Sequence, residues 1–180
     1  MILPPFELHR PRSVDEAIGI ASGLDGDFDY VAGGTDLLQN YKNRLNRKGH
    51  LVSLADLPEM RGISATRIGA LERLADIERS PVILDRLPGV ARAASQIASP
   101  LVRESGTVWG NILVETRCFY FNQSFFWRQS KGFCLKADGD ACLVVPQKEI
   151  CYAAYSGDIA PVLLALDAAF ALRGPGGDGR

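Results

Sequence analysis

All four cysteines of this 180-residue chain lie in one segment, and they are its most chemically distinctive residues. They are Cys118, Cys134, Cys142 and Cys151. Cysteines that served only as small apolar side chains would be scattered along the sequence, so their clustering requires a chemical reason. Four thiols in one segment could form two disulfides, a zinc site or an iron–sulfur cluster.

The spacing of the cysteines does not select one of these sites. Successive cysteines are 16, 8 and 9 positions apart, whereas a structural zinc site usually takes two ligands from a turn of about two to four residues. The short gaps of bacterial ferredoxins are also absent. A wide loop can surround a cubane cluster, and the aromatic residues of the segment could shield it or form ordinary core. A cluster, a zinc site and unpaired buried thiols all remain open on spacing alone.

The composition is that of a globular protein, with 47% hydrophobic and 23% charged residues. A formal net charge of -1 argues against nucleic acid or a membrane surface as the partner. The N-terminal residues do not resemble a secretory signal, and no window approaches the roughly 18 apolar residues of a membrane span. We therefore expect a cytoplasmic protein, in which disulfides are disfavoured.

The first 55 or so residues alternate between strand and helix patterns. Strands are predicted at 6–11, 30–32 and 50–54, and helices from about 14 to 23 and from 37 to 41. Ser13 and Glu16 have the form of a capping box at the start of the first helix. The alternation predicts a small parallel sheet. The two histidines, His9 and His50, have no partner at a ligand spacing, so we interpret them as structural.

The sequence Gly33-Gly34-Thr35-Asp36 connects a predicted strand to a predicted helix. Glycines let the backbone approach a ligand closely, and the first N–H groups of a helix can bind phosphate oxygens. The segment therefore predicts an anion site. The alternative is a tight strand-to-helix turn in which Thr35 or Asp36 caps the helix.

For the rest of the chain, the sequence predicts mainly helices joined by polar turns. Patterns predict a strand at 67–70, helices at 71–79 and 87–98, an apolar helix at 162–166 and a strand at 168–173. Small hydroxyl and amide residues at 99–111 predict a turn that either satisfies loop carbonyls or presents donors to a polar ligand. Asp158 precedes the last helix, where a carboxylate is favoured by the helix dipole.

Four motifs together carry a family resemblance: VAGGTDL at 31–37, IGAL at 68–71, GTVWGN at 106–111 and SGDIAPVLLAL at 156–166. In this order the chain resembles the FAD-binding subunits of the molybdenum hydroxylases, the xanthine dehydrogenase and carbon monoxide dehydrogenase family. The resemblance implies an α+β, FAD-binding PCMH-type fold. It implies a small β-α-β subdomain at 1–57 and a larger α+β subdomain at 58–180.

In most of that family the connection from the asparagine motif to the aspartate motif is short, but here Asn111 and Asp158 are 47 positions apart. The intervening segment, with TRC at 116–118 and YFNQ at 120–123, resembles the β subunits of 4-hydroxybenzoyl-CoA reductases. That resemblance implies an insertion at about 115–154 that binds an extra [4Fe–4S] cluster. The cluster ligands would be Cys118, Cys134, Cys142 and Cys151.

The family resemblance also assigns FAD-binding roles to individual residues. The loop that would bind the FAD pyrophosphate consists of Val31, Ala32, Gly33, Gly34, Thr35 and Asp36. Thr107, Gly110 and Asn111 would line the flavin or its phosphates, and Asp158 would bind the adenosine ribose. Trp109 stands where the family usually has glycine, so the indole would be poorly tolerated if the position needs a positive φ or close approach of the cofactor.

By the same resemblance, the chain is an electron-transfer flavoprotein subunit, an oxidoreductase component with no catalytic side chain of its own. Reduced ferredoxin would donate electrons to the cluster, and the electrons would pass from the cluster to FAD. From FAD they would pass through a [2Fe–2S] small subunit to a molybdenum-cofactor large subunit. The net reaction would be the reductive dehydroxylation of 4-hydroxybenzoyl-CoA. Alternatives are a flavin subunit of another aromatic or purine dehydrogenase, and a zinc-stabilised binding module. Because the family is usually longer, we expect a C-terminally truncated fragment.

Overall fold

The computed structural model describes residues 2–45 and 48–179. The chain forms two compact units, which are treated separately below. The cysteine unit comprises residues 2–4, 36–45 and 114–156, and the sheet unit comprises 5–35, 48–113 and 157–179.

The sheet unit contains a parallel sheet followed by short helices. Its elements are β1 (Glu7–His9), α1 (Val14–Ser22), β2 (Phe28–Val31), β3 (His50–Ser53), α3 (Leu74–Arg79), α4 (Pro81–Arg86), α5 (Pro88–Gln96), α6 (Pro100–Arg103), α7 (Val108–Ile112), α9 (Ala160–Ala165), β4 (Leu172–Gly174) and β5 (Gly177–Gly179). The cysteine unit contributes α2 (Leu37–Lys42) and α8 (Phe125–Ser130).

The predicted parallel sheet is confirmed, and β3 is its central strand. In this sheet the strand order is β1-β3-β2, and both of its pairings are parallel. β4 and β5 form a separate antiparallel pair. Ser13 caps α1 by accepting from the Glu16 N–H at 3.1 Å, as the capping box requires. The Glu16 carboxylate accepts from the Arg12 N–H rather than from that of Ser13.

Two apolar clusters form the core of the sheet unit. One joins the helices and consists of Leu74, Ile77, Ile83, Val90, Ala91, Ala94, Ile97, Val108 and Ile159. The other covers the sheet and consists of Ala17, Val52, Leu54, Leu57 and Leu71. Prolines at the first turns of α4, α5 and α6 favour these helix starts because proline lacks the N–H that would be unpaired there.

Four local predictions need correction. The strand at 67–70 is reduced to an isolated bridge between Ile63 and Ile68. The helix predicted from residue 71 begins at Leu74, because the carbonyls at 70 and 72 accept from Trp109 and Val108. The predicted turn at 99–111 contains α6 and α7, which are capped by the hydroxyls of Ser99 and Thr107. The last strand begins at residue 172, after a turn in which Asp167 has a φ of 51°.

The cysteine unit is held together by arginines that reach backbone and carboxylate oxygens. Arg128 is only 3% exposed, and it donates to the carbonyls of Asn43 at 3.2 Å, Arg44 at 2.9 Å and Gln123. These bonds join α8 to the turn after α2. Arg117 forms an ion pair with Asp36 at the start of α2. The cysteine segment and α2 therefore belong to one structure.

No helix in the described chain is both long enough and apolar enough to cross a membrane.

Candidate functional site

All four cysteines of the cysteine unit line one small cavity. Cys134 and Cys142 are buried, Cys118 is half-buried and Cys151 is exposed, and all four are free thiols. The remaining lining comes from Tyr120, Phe121, Leu135, Lys136, Leu143, Val144 and Ala153. Thiols from four separate places in the chain therefore converge in the fold.

The sulfur atoms of the described residues do not form a compact set of three zinc ligands. Tetrahedral zinc with Zn–S distances near 2.3 Å would place its sulfur ligands about 3.8 Å apart. Within the described residues, no three cysteine sulfurs lie inside 4.8 Å of one another.

Two of the thiols accept hydrogen bonds from backbone N–H groups. Hydrogen bonds from the backbone of Tyr152, Val145 and Val144 hold the pKa of Cys142 below its ordinary value, against the opposite effect of burial. The Ala153 N–H donates to Cys151 Sγ at 3.4 Å. Such bonds stabilise the thiolate, the form of cysteine that binds metals.

The two ends of the cysteine segment meet within its own unit. Arg117 and Ala154 form an antiparallel bridge, in which each backbone N–H donates to the other carbonyl. Lys136 lies beside the cavity, donates to the Thr116 hydroxyl at 2.6 Å and pairs with Glu115. The segment is therefore closed at its base and carries a cation beside the thiols.

A second cavity, of about 210 Å³, lies in the sheet unit beside the glycine loop. It is lined by Ala32, Gly33, Ala55, Arg61, Leu71, Arg73, Ser105 and Thr107. Of these, Ala32, Gly33 and Thr107 were expected from the sequence. Arg61 and Arg73 were missed because they belong to no motif, whereas Ser105 could have been found from its place directly before Gly106-Thr107.

Backbone pairing positions these cavity residues. Leu74 donates to the Gly106 carbonyl at 2.9 Å, and Arg73 and Thr107 form an antiparallel bridge. Thr107 Oγ1 accepts from the Gly110 N–H at 3.1 Å, which leaves its O–H free to donate to a ligand. The guanidinium of Arg61 is fixed by the carbonyls of Leu71 and Ala55, each at 3.0 Å.

Asn111 and Asp158 are in direct contact despite their separation in sequence. Asn111 Nδ2 donates to Asp158 Oδ2 at 3.0 Å, and Asn111 Oδ1 accepts from the Ile159 N–H at 2.9 Å. Both residues belong to the sheet unit. The contact fixes the end of α7 against the start of α9.

The remaining expected FAD residues have identifiable local roles. Val31 ends β2, and Gly34 has a φ of 70°, which favours glycine. Thr35 precedes Asp36, the N-cap position of α2, but the Asp36 side chain makes no capping bond. It instead accepts from Asn40 Nδ2 at 3.2 Å and pairs with Arg117.

The strain expected at Trp109 does not occur. Trp109 lies inside α7 and is absent from the residues with positive φ in the described chain. The centroid of its ring lies 6.4 Å from the centroid of the Tyr30 ring. The side chain packs against the apolar cluster that covers the sheet. Helical backbone accommodates an indole as readily as other large side chains.

Known proteins with similar sequences include medium chains and FAD-binding subunits of oxidoreductases. The carbon monoxide dehydrogenase medium chain of Hydrogenophaga pseudoflava is 42% identical over 116 residues, which are 62% of this chain and 40% of that protein. The aldehyde oxidoreductase FAD-binding subunit PaoB of Escherichia coli (strain K12) is 31% identical over 172 residues, 91% of this chain and 54% of that protein.

A solved structure supports the same fold. Reconstituted CO dehydrogenase from Oligotropha carboxidovorans matches with a TM-score of 0.72 at 26% identity, over 99% of this chain and 51% of that chain. The chain thus spans about half, or less, of the length of these relatives. The family model described as "FAD binding domain in molybdopterin dehydrogenase" matches residues 4–180. The glycine loop, the parallel sheet and the Asn111–Asp158 contact are therefore features of a chain that belongs to the family of FAD-binding domains of molybdopterin dehydrogenases.

Proposed function

We propose that this chain is the electron-transfer flavoprotein subunit of a molybdenum hydroxylase-type complex and that it holds a [4Fe–4S] cluster in addition to FAD. The observation that carries the proposal is the convergence of Cys118, Cys134, Cys142 and Cys151 on one cavity. Neither the spacing of the cysteines in the sequence nor the burial of cysteine side chains in a core requires all four thiols to line one cavity.

The sheet-unit cavity fits the anionic part of FAD. Guanidinium groups of Arg61 and Arg73 line it together with the hydroxyls of Ser105 and Thr107, and such donors suit the diphosphate. The Ala32–Gly33 backbone forms another wall. We assign the diphosphate to this cavity and retain Val31 to Asp36, Thr107, Gly110, Asn111 and Asp158 as the wider FAD site.

The cysteine cavity fits an iron–sulfur cluster better than zinc. No three of the sulfurs in the described residues lie within 4.8 Å of one another, so they are not preset for a mononuclear site. Backbone donors already favour the thiolate of Cys142. Hydrogen bonds to ligand sulfurs also tune the reduction potential of a cluster. Lys136 supplies positive charge beside a site that would carry excess negative charge.

We also propose that the cysteine segment, at about 115–154, is an insertion into the FAD-binding domain. Asn111 and Asp158 belong to the sheet unit and stand before and after the cysteine segment in the sequence. Their side chains are in contact, with Asn111 Nδ2 lying 3.0 Å from Asp158 Oδ2. The bridge between Arg117 and Ala154 closes the segment itself. The division into subdomains at 1–57 and 58–180 remains part of the proposal.

When bound, FAD would exchange electrons in pairs, whereas a cluster passes them singly, so together they can couple one-electron to two-electron partners. This chain's own residues would hold and orient these groups. Arg61 and Arg73 would bind anionic oxygens, the apolar and aromatic lining would limit access of water, and backbone N–H groups would stabilise cysteine thiolates. We propose no side-chain acid, base or nucleophile in this chain.

We propose as partners a molybdenum-cofactor large subunit, a [2Fe–2S] small subunit and ferredoxin as electron donor. The substrate would be 4-hydroxybenzoyl-CoA, reduced to benzoyl-CoA on the large subunit. What supports this is the position of the four-cysteine segment between Asn111 and Asp158.

A second candidate is a flavin subunit of another molybdenum dehydrogenase that acts on an aromatic or purine-type substrate. The names of relatives favour it, since they include a nicotinate dehydrogenase FAD-subunit and a xanthine dehydrogenase FAD-binding subunit. Activity of the assembled complex distinguishes the two. Reduction of 4-hydroxybenzoyl-CoA with reduced ferredoxin supports the first, and oxidation of a purine or another aromatic substrate without such reduction supports the second.

The cluster is tested by analysing anaerobically purified protein for iron, sulfide and zinc and by recording its visible spectrum. We expect about four iron and four sulfide per chain, and Cys134→Ser should lose them while retaining FAD. Ser156→Ala, at an exposed serine in the same unit, is the control and should retain both groups. Stoichiometric zinc with no visible absorption would overturn the cluster, and equal loss of FAD in Cys134→Ser would overturn the insertion.

A further inference from the structure

Glu7, His9 and His50 form a second group of potential metal ligands, far from the cysteines in sequence. One ligand atom from each lies within 4.8 Å of the other two. Among the described residues this is the one group of three or more such side chains found within that distance. The chain has two histidines, and both belong to it.

The parallel sheet creates this group. Glu7 lies opposite His50 in the pairing of β1 with β3, and His9 lies two residues beyond Glu7 on the same strand. Side chains two apart on a strand point to the same face, so all three emerge on one side of the sheet. The sequence shows no partner at a ligand spacing for either histidine because the partner comes from a neighbouring strand.

The distances are close to those of a three-ligand zinc site. His9 Nε2 and His50 Nδ1 are 3.1 Å apart. Of the two Glu7 carboxylate oxygens, Oε1 lies 3.9 Å from His9 Nε2 and Oε2 lies 3.6 Å from His50 Nδ1. Zinc bound at about 2.0–2.2 Å with tetrahedral angles would place its ligand atoms about 3.4 Å apart. Because the Glu7 side chain is exposed, it is free to rotate about its own bonds.

We propose that Glu7, His9 and His50 bind one divalent cation of the zinc class, with the fourth position open to water. Imidazole and carboxylate together suit Zn²⁺, and two histidines with one glutamate are a known zinc ligand set. The side chains of His9 and His50 are 20% and 27% exposed, whereas that of Glu7 is 67% exposed. The cation therefore has a route from solvent, and it joins β1 to β3.

The test is a Zn²⁺ titration followed by the ¹⁵N signals of the imidazole rings. The chain has two histidines, so the spectrum contains few imidazole ¹⁵N signals. The signals that disappear in His9→Gln belong to His9, and the rest belong to His50. We expect the signals of His9 Nε2 and His50 Nδ1 to move together and to saturate at one equivalent. Zinc bound by the cysteine thiols would leave these signals unchanged, so the readout separates the two sites.

Variants give a second, independent readout. His50→Gln and Glu7→Gln should each weaken Zn²⁺ binding at the remaining imidazole at least about tenfold. Asp56→Asn removes an exposed carboxylate elsewhere in the same unit and should leave the affinity unchanged. Imidazole signals that stay fixed in excess Zn²⁺ would overturn the site, as would equal affinities in Glu7→Gln and Asp56→Asn.

Discussion

The absence of a side chain at Gly33 lets the glycine loop lie directly against the backbone of Ser105. A Cβ atom added at Gly33 would lie 2.0 Å from the Ser105 carbonyl oxygen and 2.8 Å from its carbonyl carbon. Both neighbouring atoms are backbone, so no side-chain rotation can relieve the overlap. The glycine is therefore required by close approach of two chain segments, both of which line the sheet-unit cavity.

Gly33→Ala should lower the free energy of unfolding by about 1–3 kcal/mol and reduce the FAD content of the purified protein. Gly19→Ala is the matched control, because Gly19 lies within α1 and a Cβ there meets nothing within 4 Å. It should raise stability by about 0.5–1 kcal/mol. Denaturant unfolding and flavin absorbance measure the two effects, and a Gly33→Ala variant as stable as Gly19→Ala contradicts the close approach.

At the scale of elements, one asparagine connects two short helices that could not hold their positions alone. α7 and α9 are 5 and 6 residues long, and helices of this length depend on tertiary contacts for stability. Asn111 at the end of α7 contacts both Asp158 and the Ile159 backbone before α9. Ile159 is itself fully buried in the helical cluster.

Asn111→Asp should destabilise the protein by about 1–2 kcal/mol, because it replaces a hydrogen bond to Asp158 by repulsion between two carboxylates. The exchanged pair Asn111→Asp with Asp158→Asn should recover most of this loss. In that pair the carboxylate introduced at position 111 can accept from both the amide introduced at position 158 and the Ile159 N–H. Unfolding midpoints of the two single variants and the pair form a double-mutant cycle.

The same exchanged pair tests the role of Asp158 in FAD binding. If its carboxylate binds the ribose, the pair should regain stability but not FAD. Recovery of both would show that the contact is structural alone.

At the scale of the whole molecule, the chain folds into two compact units, and each unit is built from segments that are separate in the sequence. The cysteine unit joins residues 114–156 to α2, through Arg117 with Asp36 and Arg128 with Asn43. Metal binding in such a unit couples to its folding, because the ligands must be brought together before the metal can be held.

If the proposed cluster is bound, removal of its iron by an anaerobic chelator should therefore loosen the cysteine unit selectively. We expect hydrogen exchange to increase at least about tenfold in residues 36–45 and 114–156, with little change in α3, α4 and α5. Mass spectrometry of proteolytic fragments measures this, and Cys134→Ser should show the faster exchange without treatment. An equal increase in α5 would contradict independent units.

The sequence by itself determined the types of chemistry and the local elements. The clustered cysteines indicated a metal or redox segment, the alternation of patterns predicted the parallel sheet, and four motifs indicated the family. Ser13 and Glu16 predicted the start of α1 because capping depends on residues only three apart. These features are local, so periodicity and short motifs are sufficient to reveal them. The helices at 100–103 and 108–112 were missed because each is about a single turn, too short to show a period.

Only the tertiary structure decided which distant residues meet. The four thiols converge, Arg61 and Arg73 reach the glycine loop, and Asn111 contacts Asp158 across 47 positions. His9 and His50 become neighbours because β1 pairs with β3 in one register, and a shift of one residue would turn the two side chains to opposite faces. Pairing and register depend on the whole core, so no local pattern in the sequence reveals them.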